Sequence, residues 1–262
     1  MTTVVAPMGY GKTTAVEWYL AERAGAEAPY IVRISVYSGN LAIFWKSAQD
    51  AFARAGFAFL REYDCPTDGA SGGLLIDDLC HALTGEKSCY IFIDDFHLLT
   101  DKRAPGFLCA LAGRLPPNVH LILASRDLFL PAAELIRLGG KVYQIGTAQL
   151  RLNHTELAVY TNRCGTALSD EQIDTLLYYS EGWFSAVYLN LRMFSEHGVL
   201  PDPNSDISSI FTAAMIDPLP EKQREFLAVM GLADEFTVEM AQFVMADAHA
   251  EDLLAALTGQ NA

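Results

Sequence analysis

A glycine-rich segment near the amino terminus has the spacing of a phosphate-binding loop. Residues 6–14 read Ala-Pro-Met-Gly-Tyr-Gly-Lys-Thr-Thr, and they follow the apolar run Thr3-Val-Val. Backbone N–H groups between Gly9 and Lys12 can surround an anion, and the amino end of a following helix adds partial positive charge. Glycine also suits backbone that approaches a phosphate closely or that needs a positive φ. The segment therefore predicts a site for the phosphates of a nucleotide.

The side chains of this loop predict individual roles. Lys12 is expected to reach the β- and γ-phosphate oxygens, and the Thr13 hydroxyl is expected to bind Mg²⁺. The loop departs from the pattern G-x-x-x-x-G-K-[ST] at Ala6, where that pattern has glycine, and Pro7 and Gly9 are the alternative sources of the turn. The loop residues predicted to bind the nucleotide are Pro7, Met8, Gly9, Tyr10, Gly11, Lys12, Thr13 and Thr14.

Two adjacent carboxylates end a second apolar run, Tyr90-Ile-Phe-Ile-Asp-Asp. If this run is a strand of a nucleotide-binding sheet, Asp94 lies at its carboxyl edge beside the phosphates, where it holds Mg²⁺. Asp95 is then placed to orient or deprotonate an attacking water. An apolar strand that ends in two acids is a weak signal alone, but its position downstream of the phosphate loop strengthens the interpretation.

A third apolar run, Leu121-Ile-Leu-Ala-Ser, leads directly into Arg126. An arginine at the same sheet edge can report whether a γ-phosphate is present. The alternative is an ordinary ion pair with the neighbouring Asp127. Two interpretations of His97 also remain open: it senses the occupancy of the site, or it is a structural histidine. The predicted catalytic groups are Lys12, Asp95 and Arg126, the predicted magnesium ligands are Thr13 and Asp94, and Asp94 and Arg126 also belong to the predicted nucleotide site.

The predicted site residues can come together only if the strands that precede them end at the same edge of one sheet. Short β-rich apolar runs alternate with amphipathic segments up to residue 149, which is typical of a parallel sheet with helices on both faces. The predicted fold class is therefore α/β, with a parallel five-stranded sheet. The predicted strands are 3–6, 30–36, 88–94, 119–125 and 142–145, and the predicted helices between them are 11–24, 41–55, 71–84 and 104–114. The aromatic residues Trp18, Tyr19, Phe57 and Phe59 are interpreted as core residues.

The remainder of the chain is predicted to be helical. Residues 153–163, 169–180 and 182–195 read as three successive helices, and Ser169 with Gln172 forms a capping box. The proline-containing stretch 198–209 is predicted to be a loop or boundary. Further helices are predicted within 219–230, 237–245 and 250–257.

Composition narrows the classes of function. A hydrophobic content of 51% and a charged content of 19% are typical of a soluble globular protein. The net charge is −14, and acidic side chains outnumber basic ones most strongly in 201–262, so non-specific binding to nucleic-acid backbone is not expected. The sequence has no long apolar run, and hence no expected membrane segment. Five scattered cysteines without a C-x-x-C pair favour reduced thiols and a cytoplasmic protein.

Together these segments resemble the MalT-like branch of the STAND signal-transduction NTPases, which are LuxR-type transcriptional regulators. The resemblance extends over nearly the whole chain, and the combination of motifs is more specific than any one of them. The matching segments are Ala6-Pro-Met-Gly-Tyr-Gly-Lys-Thr-Thr, Ile93-Asp-Asp-Phe-His-Leu-Leu, Leu123-Ala-Ser-Arg, Ser180-Glu-Gly-Trp and Ile145-Gly-Thr-Ala-Gln-Leu-Arg-Leu-Asn-His-Thr-Glu.

The resemblance implies an AAA+/STAND-like P-loop domain at 1–149, a helical domain at 150–216 and a truncated winged-helix domain at 217–262. It implies ATP or ADP with Mg²⁺ as ligands, and slow hydrolysis coupled to self-association of the full-length protein and to transcription activation. A small-molecule or protein inducer is expected to act through a C-terminal sensor region, and DNA through a C-terminal helix-turn-helix, both outside these residues. Tyr37-Ser-Gly-Asn replaces an acid-rich stretch of the family, so no role is transferred there.

Two other classes of function remain open from the residues themselves. One is a P-loop ATPase or kinase that works as a turnover enzyme. A small-molecule kinase needs an arginine-rich lid, and the stretch 60–73 offers only Arg61. The other is an interaction module with a decayed site, which the presence of Lys12, Thr13, Asp94 and Asp95 argues against.

Overall fold

The computed structural model describes residues 1–198, 200, 212, 216–217, 219–233, 236–247 and 249–259. The chain divides into two compact units. The first unit comprises residues 1–155 and 181–185, and the second comprises residues 156–180 and 186–262.

A parallel sheet forms the centre of the first unit. Its strands are β1 (Thr2–Val5), β2 (Tyr30–Ser35), β3 (Cys89–Asp94), β4 (Val119–Ser125) and β5 (Tyr143–Ile145). Their order across the sheet is β2-β3-β4-β1-β5, and every neighbouring pair is parallel. The predicted five-stranded parallel sheet is confirmed. The order also shows that β4 lies between the strand that precedes the glycine-rich loop and the strand that ends in the paired acids.

Helices connect these strands. They are α1 (Lys12–Glu27), α2 (Leu41–Arg54), α3 (Gly69–Leu83), α4 (Ala104–Arg114), α5 (Ala132–Leu138) and α6 (Thr147–Leu150), with short 3-10 helices at Ala58–Glu62, Phe96–Leu98 and Gly139–Lys141. The sequence pattern did not predict α5. This helix has 7 residues, which is shorter than the window over which helical periodicity can be recognised.

Both faces of the sheet are covered. Successive side chains of a strand point to opposite faces, so Ile91 and Ile93 of β3 enter the core on one side while Phe92 enters the core on the other. On the second side Phe92 packs in a cluster with Val16 and Leu20 of α1. This arrangement explains why β3 is apolar along its whole length, as the doubly covered parallel sheet predicts.

The interpretation of Trp18 and Tyr19 as core residues is wrong. Helix α1 buries a stripe that contains Val16 and Leu20, spaced four residues apart, and Trp18 falls outside that stripe. The Trp18 side chain is 59% exposed and that of Tyr19 is 37% exposed. In contrast, Phe57 and Phe59 pack against the core, as predicted.

The second unit is helical in its described part. Its helices are α7 (His154–Arg163), α8 (Asp170–Ser180), α9 (Phe184–His197), α10 (Glu221–Met230), α11 (Val238–Met245) and α12 (Ala250–Gly259), of which α7 and α9 begin in residues of the first unit. The predicted capping box at the start of α8 is confirmed, because the Ser169 N–H donates to Gln172 Oε1 at 2.9 Å and the Gln172 N–H donates to Ser169 Oγ at 3.3 Å.

Helices α10 to α12 share a small core that includes Phe226, Met230 and Ala241. The winged-helix assignment and the domain boundaries 1–149, 150–216 and 217–262 stay predictions. Of the predicted boundary stretch 198–209, only residues 198 and 200 lie within the described part of the chain. Among the described helices, none has the length and apolar character needed to cross a bilayer.

Candidate functional site

The glycine-rich loop connects β1 to α1 and turns through left-handed backbone. Gly9 has a φ of 81° and Gly11 a φ of 68°, which confirms the expectation of positive φ at these glycines. Ala6, where the general pattern has glycine, is 1% exposed, and its N–H donates to the Ser125 carbonyl at 3.3 Å. Ala6 is not among the residues with a positive φ. Its position therefore continues the pairing of β1 with β4, and alanine fits there without strain.

The amino end of α1 is open to an anion. Its N-cap residue is Gly11, which provides no side-chain hydrogen bond, and the first turn contains no acidic residue. The first N–H groups of a helix have no partner within that helix, and they carry the positive end of its dipole. By comparison, Asn40 caps α2 and Asp68 caps α3 with side-chain oxygens. The helix that follows the loop is thus left with N–H groups that can bind phosphate.

Lys12 lies in the centre of the site and is 8% exposed. Its Nζ donates to the Pro7 carbonyl at 3.0 Å, so the side chain folds back over the loop. Burial lowers the pKa of Lys12, the nearby Arg126 lowers it further, and Asp95 and Asp94 raise it. Lys12, at the start of α1, thus lies near the charged groups at the ends of β3 and β4.

Asp94 and Thr13 meet beneath the loop. Asp94 ends β3 and is 8% exposed, and burial raises the pKa of its carboxyl group. A hydrogen bond from Thr13 and one from the backbone N–H of Asp95, at 2.9 Å, oppose that rise in pKa. A hydroxyl and a carboxylate are the hard oxygen ligands that Mg²⁺ prefers. The donor set therefore fits a magnesium ion.

Such an ion would depend on ligands from outside the protein. No group of three or more histidine, cysteine, aspartate or glutamate side chains is placed to hold a metal within the described residues. Mg²⁺ takes six ligands, and it usually keeps several waters and binds substrate phosphates. Thr13 and Asp94 fit that mode of binding, in which phosphate oxygens and water complete the coordination.

A cavity of about 170 Å³ opens beside Thr13, and Asp94 is not among its lining residues. Every residue on its lining is one that the sequence predicted for the site. The lining residues are Met8, Gly9, Gly11, Lys12, Thr13, Thr14, Asp95 and Arg126. This volume is below the range of about 300–1,000 Å³ that accommodates a whole drug-sized ligand, and it suits the phosphate part of a nucleotide.

The other predicted residues lie around this cavity. Pro7 presents its carbonyl to Lys12, and the Tyr10 ring faces the ring of Trp183 with centroids 6.4 Å apart. Asp95 has a φ of 52° and a side chain that is 46% exposed, so the turn after β3 directs its carboxylate outward. The structure brings the predicted residues together, and their roles stay predictions.

Arg126 is exposed at the end of β4. In the described part of the chain, no ion pair joins Arg126 to Asp127 or to another carboxylate. Instead the Ser125 hydroxyl donates to the Asp127 carbonyl at 2.8 Å and fixes the turn. The structure therefore gives no support to the alternative in which Arg126 is an ordinary surface ion pair, and it leaves the guanidinium available to a ligand.

His97 is enclosed without a hydrogen-bond partner. Its side chain is 11% exposed, and neither ring nitrogen makes a hydrogen bond within the described residues. The nearest carboxylate oxygen, Asp95 Oδ1, lies 3.9 Å from Nδ1, which is too far for a hydrogen bond. Burial lowers the pKa of His97, and the positive charge of Arg126 contributes. The structure therefore does not support the alternative in which His97 is a structural histidine with hydrogen-bonded nitrogens.

Sequence reasoning missed the hydrogen bonds between the loop and the segment 181–185. The Trp183 Nε1 donates to the Met8 carbonyl at 3.2 Å, and both the backbone N–H and the hydroxyl of Ser185 donate to the Gly9 carbonyl at 3.0 and 3.1 Å. A β-carbon on Gly9 would lie 2.5 Å from the Ser185 hydroxyl. The one sequence signal was the Ser180-Glu-Gly-Trp match, which contains Trp183.

Comparisons with known proteins find similarity to transcriptional regulators. The HTH-type transcriptional regulator MalT of Vibrio campbellii is 23% identical to the chain, over 97% of the chain and 29% of the regulator. The regulator AlkS of Ectopseudomonas oleovorans is 24% identical, over 91% of the chain and 27% of AlkS. The chain thus spans less than a third of the length of these curated relatives. No protein-family model matches the chain.

The fold is also found among solved structures. A Walker-type ATPase of Pyrococcus abyssi superposes with a TM-score of 0.50 at 13% identity, over 98% of this chain and 83% of the ATPase. At that identity the similarity concerns the fold alone.

Proposed function

We propose that the chain is a MalT-like STAND NTPase and that it is the ATP- and ADP-binding switch region of a LuxR-type transcriptional regulator, to which its similarity to the regulators MalT and AlkS lends support. The observation that supports this proposal most directly is the cavity at the carboxyl edge of the sheet. The glycine-rich loop, Lys12, Asp95 and Arg126 all line it, and the open amino end of α1 adjoins it.

The proposed roles follow from the positions of the groups. The N–H groups of the loop and of α1, together with Lys12, bind the phosphates. Thr13 and Asp94 hold Mg²⁺, which offsets phosphate charge when it is bound. Asp95 orients an attacking water, and Arg126 contacts the γ-phosphate because its guanidinium is not engaged by a carboxylate of the described residues.

The difference between ATP and ADP operates the switch. In the proposed cycle ADP favours a closed form, and ATP together with an inducer favours an open form that self-associates. A ligand moves such an equilibrium only through its different affinities for the two forms. Conversion from mostly closed to mostly open needs about 5 kcal/mol of differential binding. Contacts of the γ-phosphate with Lys12, Mg²⁺ and Arg126 contribute to this difference.

Hydrolysis is proposed to be slow. The lining of the cavity contains a single arginine, Arg126, and fast hydrolysis in P-loop proteins generally requires a further arginine that stabilises the transition state. The inducer is proposed to act through a sensor region, and DNA to bind a helix-turn-helix, in parts of a longer protein that correspond to the remaining length of the relatives. We place such a protein in the cytoplasm.

The experiment is to measure which nucleotide co-purifies with the chain and how fast it is hydrolysed. Mass spectrometry of the released ligand should identify ADP or ATP, and single-turnover assays should show little hydrolysis without partners. Lys12→Ala should lose the bound nucleotide. Lys102→Ala is the matched control because it removes an exposed lysine outside the cavity. Unchanged nucleotide content in Lys12→Ala would exclude the proposed site.

The same assay separates the switch from the alternative function. A P-loop ATPase or kinase that works as a turnover enzyme would hydrolyse or transfer phosphate rapidly without a partner and would release ADP readily. A switch retains ADP and turns over slowly. Rapid turnover by the unmodified chain would therefore overturn the switch while leaving the nucleotide site intact.

A further inference from the structure

A second and larger cavity lies on the other side of the first unit from α1. Its volume is about 370 Å³, and it is enclosed by helices α2, α3 and α4 and by the face of the sheet that carries Ile91 and Ile93. None of its lining residues belongs to the glycine-rich loop or to the cavity beside Lys12. It is therefore separate from the proposed nucleotide site.

The interior of this cavity is apolar. Buried side chains such as Phe52, Leu75 and Leu108 form its walls. Trp45 also faces it, and the one polar atom of that side chain is engaged, since Nε1 donates to the Tyr63 carbonyl at 3.1 Å. The volume lies within the range of about 300–1,000 Å³ typical of small-molecule sites, and it exceeds twice the roughly 150 Å³ of a cavity that binds benzene.

Each charged side chain of the lining is already engaged by another group. They are Asp68, Arg103 and Arg114, all of them exposed at the mouth of the cavity. Asp68 accepts the N-cap hydrogen bond of α3 from the Ser71 N–H. Arg103 binds Asp101 at 2.7 Å, and Arg114 binds Asp77 at 2.9 Å. Both arginines at the mouth are thus held by carboxylates, Asp68 is held by Ser71, and the walls are apolar, so the chemistry of the cavity favours an uncharged molecule.

A glycine in the wall of α3 supports the same interpretation. Gly73 lies inside the helix and lines the cavity, and a β-carbon at this position would meet nothing within 4 Å. Glycine is the least favourable residue in a helix interior apart from proline. Packing in the protein does not require glycine at position 73, and the position adjoins open space in the cavity lining. Gly106 of α4 has the same property at the mouth.

We propose that this cavity binds one uncharged, predominantly apolar small molecule of about the size of a two-ring aromatic or a medium-length alkyl alcohol. The site is independent of the nucleotide. Its inner wall includes Ile93 and Phe96, which flank the paired acids in sequence, so the ligand contacts the strand that carries Asp94.

The test uses the complete 262-residue chain and the neutral fluorescent probe N-phenyl-1-naphthylamine. Titration should show saturable binding with one site per chain. Gly73→Leu should weaken the affinity for the probe at least 10-fold, because the new side chain should occupy space in the cavity. Gly25→Leu is the matched control, since Gly25 is a helical glycine with nothing within 4 Å of its β-carbon and lies outside the cavity.

Three results would overturn the proposal: binding that does not saturate, several probe molecules per chain, or equal affinity in Gly73→Leu and Gly25→Leu. Nucleotide content serves as a check on folding, because neither position touches the Lys12 cavity. If Gly73→Leu fails to fold, Gly106→Leu in α4 replaces it in the same binding test. Competition tests the chemical class. 1-Decanol should displace the probe at least 10-fold more effectively than decanoate at pH 8, and equal displacement would contradict an uncharged ligand.

Discussion

Replacement of Gly9 by alanine tests whether the 181–185 segment holds the glycine-rich loop. The change has two separate costs. A non-glycine residue in the left-handed region costs about 1–2 kcal/mol, and Gly9 has a φ of 81°. In addition the new β-carbon would lie 2.5 Å from the Ser185 hydroxyl and 2.6 Å from Trp183 Nε1, so both groups must move.

Movement of these groups breaks two side-chain hydrogen bonds. The Ser185 hydroxyl loses its bond to the Gly9 carbonyl, and the Trp183 indole loses its bond to the Met8 carbonyl. Each is worth about 1 kcal/mol. We therefore expect Gly9→Ala to lower the free energy of unfolding of the first unit by about 3–4 kcal/mol. In a Trp183→Phe/Ser185→Ala background the same change should cost only the backbone part, about 1–2 kcal/mol.

Urea unfolding followed by tryptophan fluorescence measures this stability. The three tryptophans are Trp18, Trp45 and Trp183, and all of them lie in the first unit, so the signal reports that unit alone. Trp18 and Trp45 remain in the double-variant background. Gly25→Ala is the control, because it adds a methyl group to an exposed position of α1 and should raise stability by about 1 kcal/mol. A loss below about 1 kcal/mol for Gly9→Ala, or equal losses in both backgrounds, would refute the reasoning.

Other predictions concern single side chains. Arg126→Ala should reduce the preference for ATP over ADP by about 10-fold or more in nucleotide competition, since a charge-assisted hydrogen bond is worth about 1.5–3 kcal/mol. Arg33→Ala is the control at an exposed arginine outside the cavity, and an unchanged preference in Arg126→Ala would contradict the assigned contact. His97→Leu should stabilise the first unit by about 1 kcal/mol in urea unfolding, because it removes two buried nitrogens without partners among the described residues; a destabilised variant would show that the nitrogens are bonded. Alkylation at pH 8 with peptide mapping should modify the exposed Cys164 well before Cys89. Burial raises the pKa of Cys89 from 9.0 to about 11, which lowers its thiolate fraction at pH 8 about 100-fold, and equal labelling would contradict this prediction.

The local part of the site was predictable from sequence. The loop around Lys12 and the acids at Asp94 are recognisable because each motif is short and contiguous, and because the carboxyl ends of parallel strands meet at one edge. The alternation of apolar runs likewise predicted the five strands. Strand order was not predictable in this way, since sequence order does not show that β4 separates β1 from β3.

The features that sequence reasoning missed depend on distant contacts or on the choice between faces. Ser185 bonds to Gly9 across a separation of 176 residues, and no local pattern encodes that bond. Trp18 was assigned to the core on residue type, whereas the packing face of α1 is decided by Val16 and Leu20. Gly73 lies within the predicted helix 71–84, and nothing in the sequence shows that a cavity adjoins it.

The path of the chain limits how this protein can be divided. The backbone leaves the first unit after residue 155, returns to it for residues 181–185 and then departs again. A fragment ending at residue 155 would keep every recognisable phosphate-binding motif yet discard the indole and hydroxyl that anchor the loop carbonyls. The shortest fragment that keeps these contacts therefore has to continue to Ser185, and it has to include helix α8 and the part of α7 that follows residue 155.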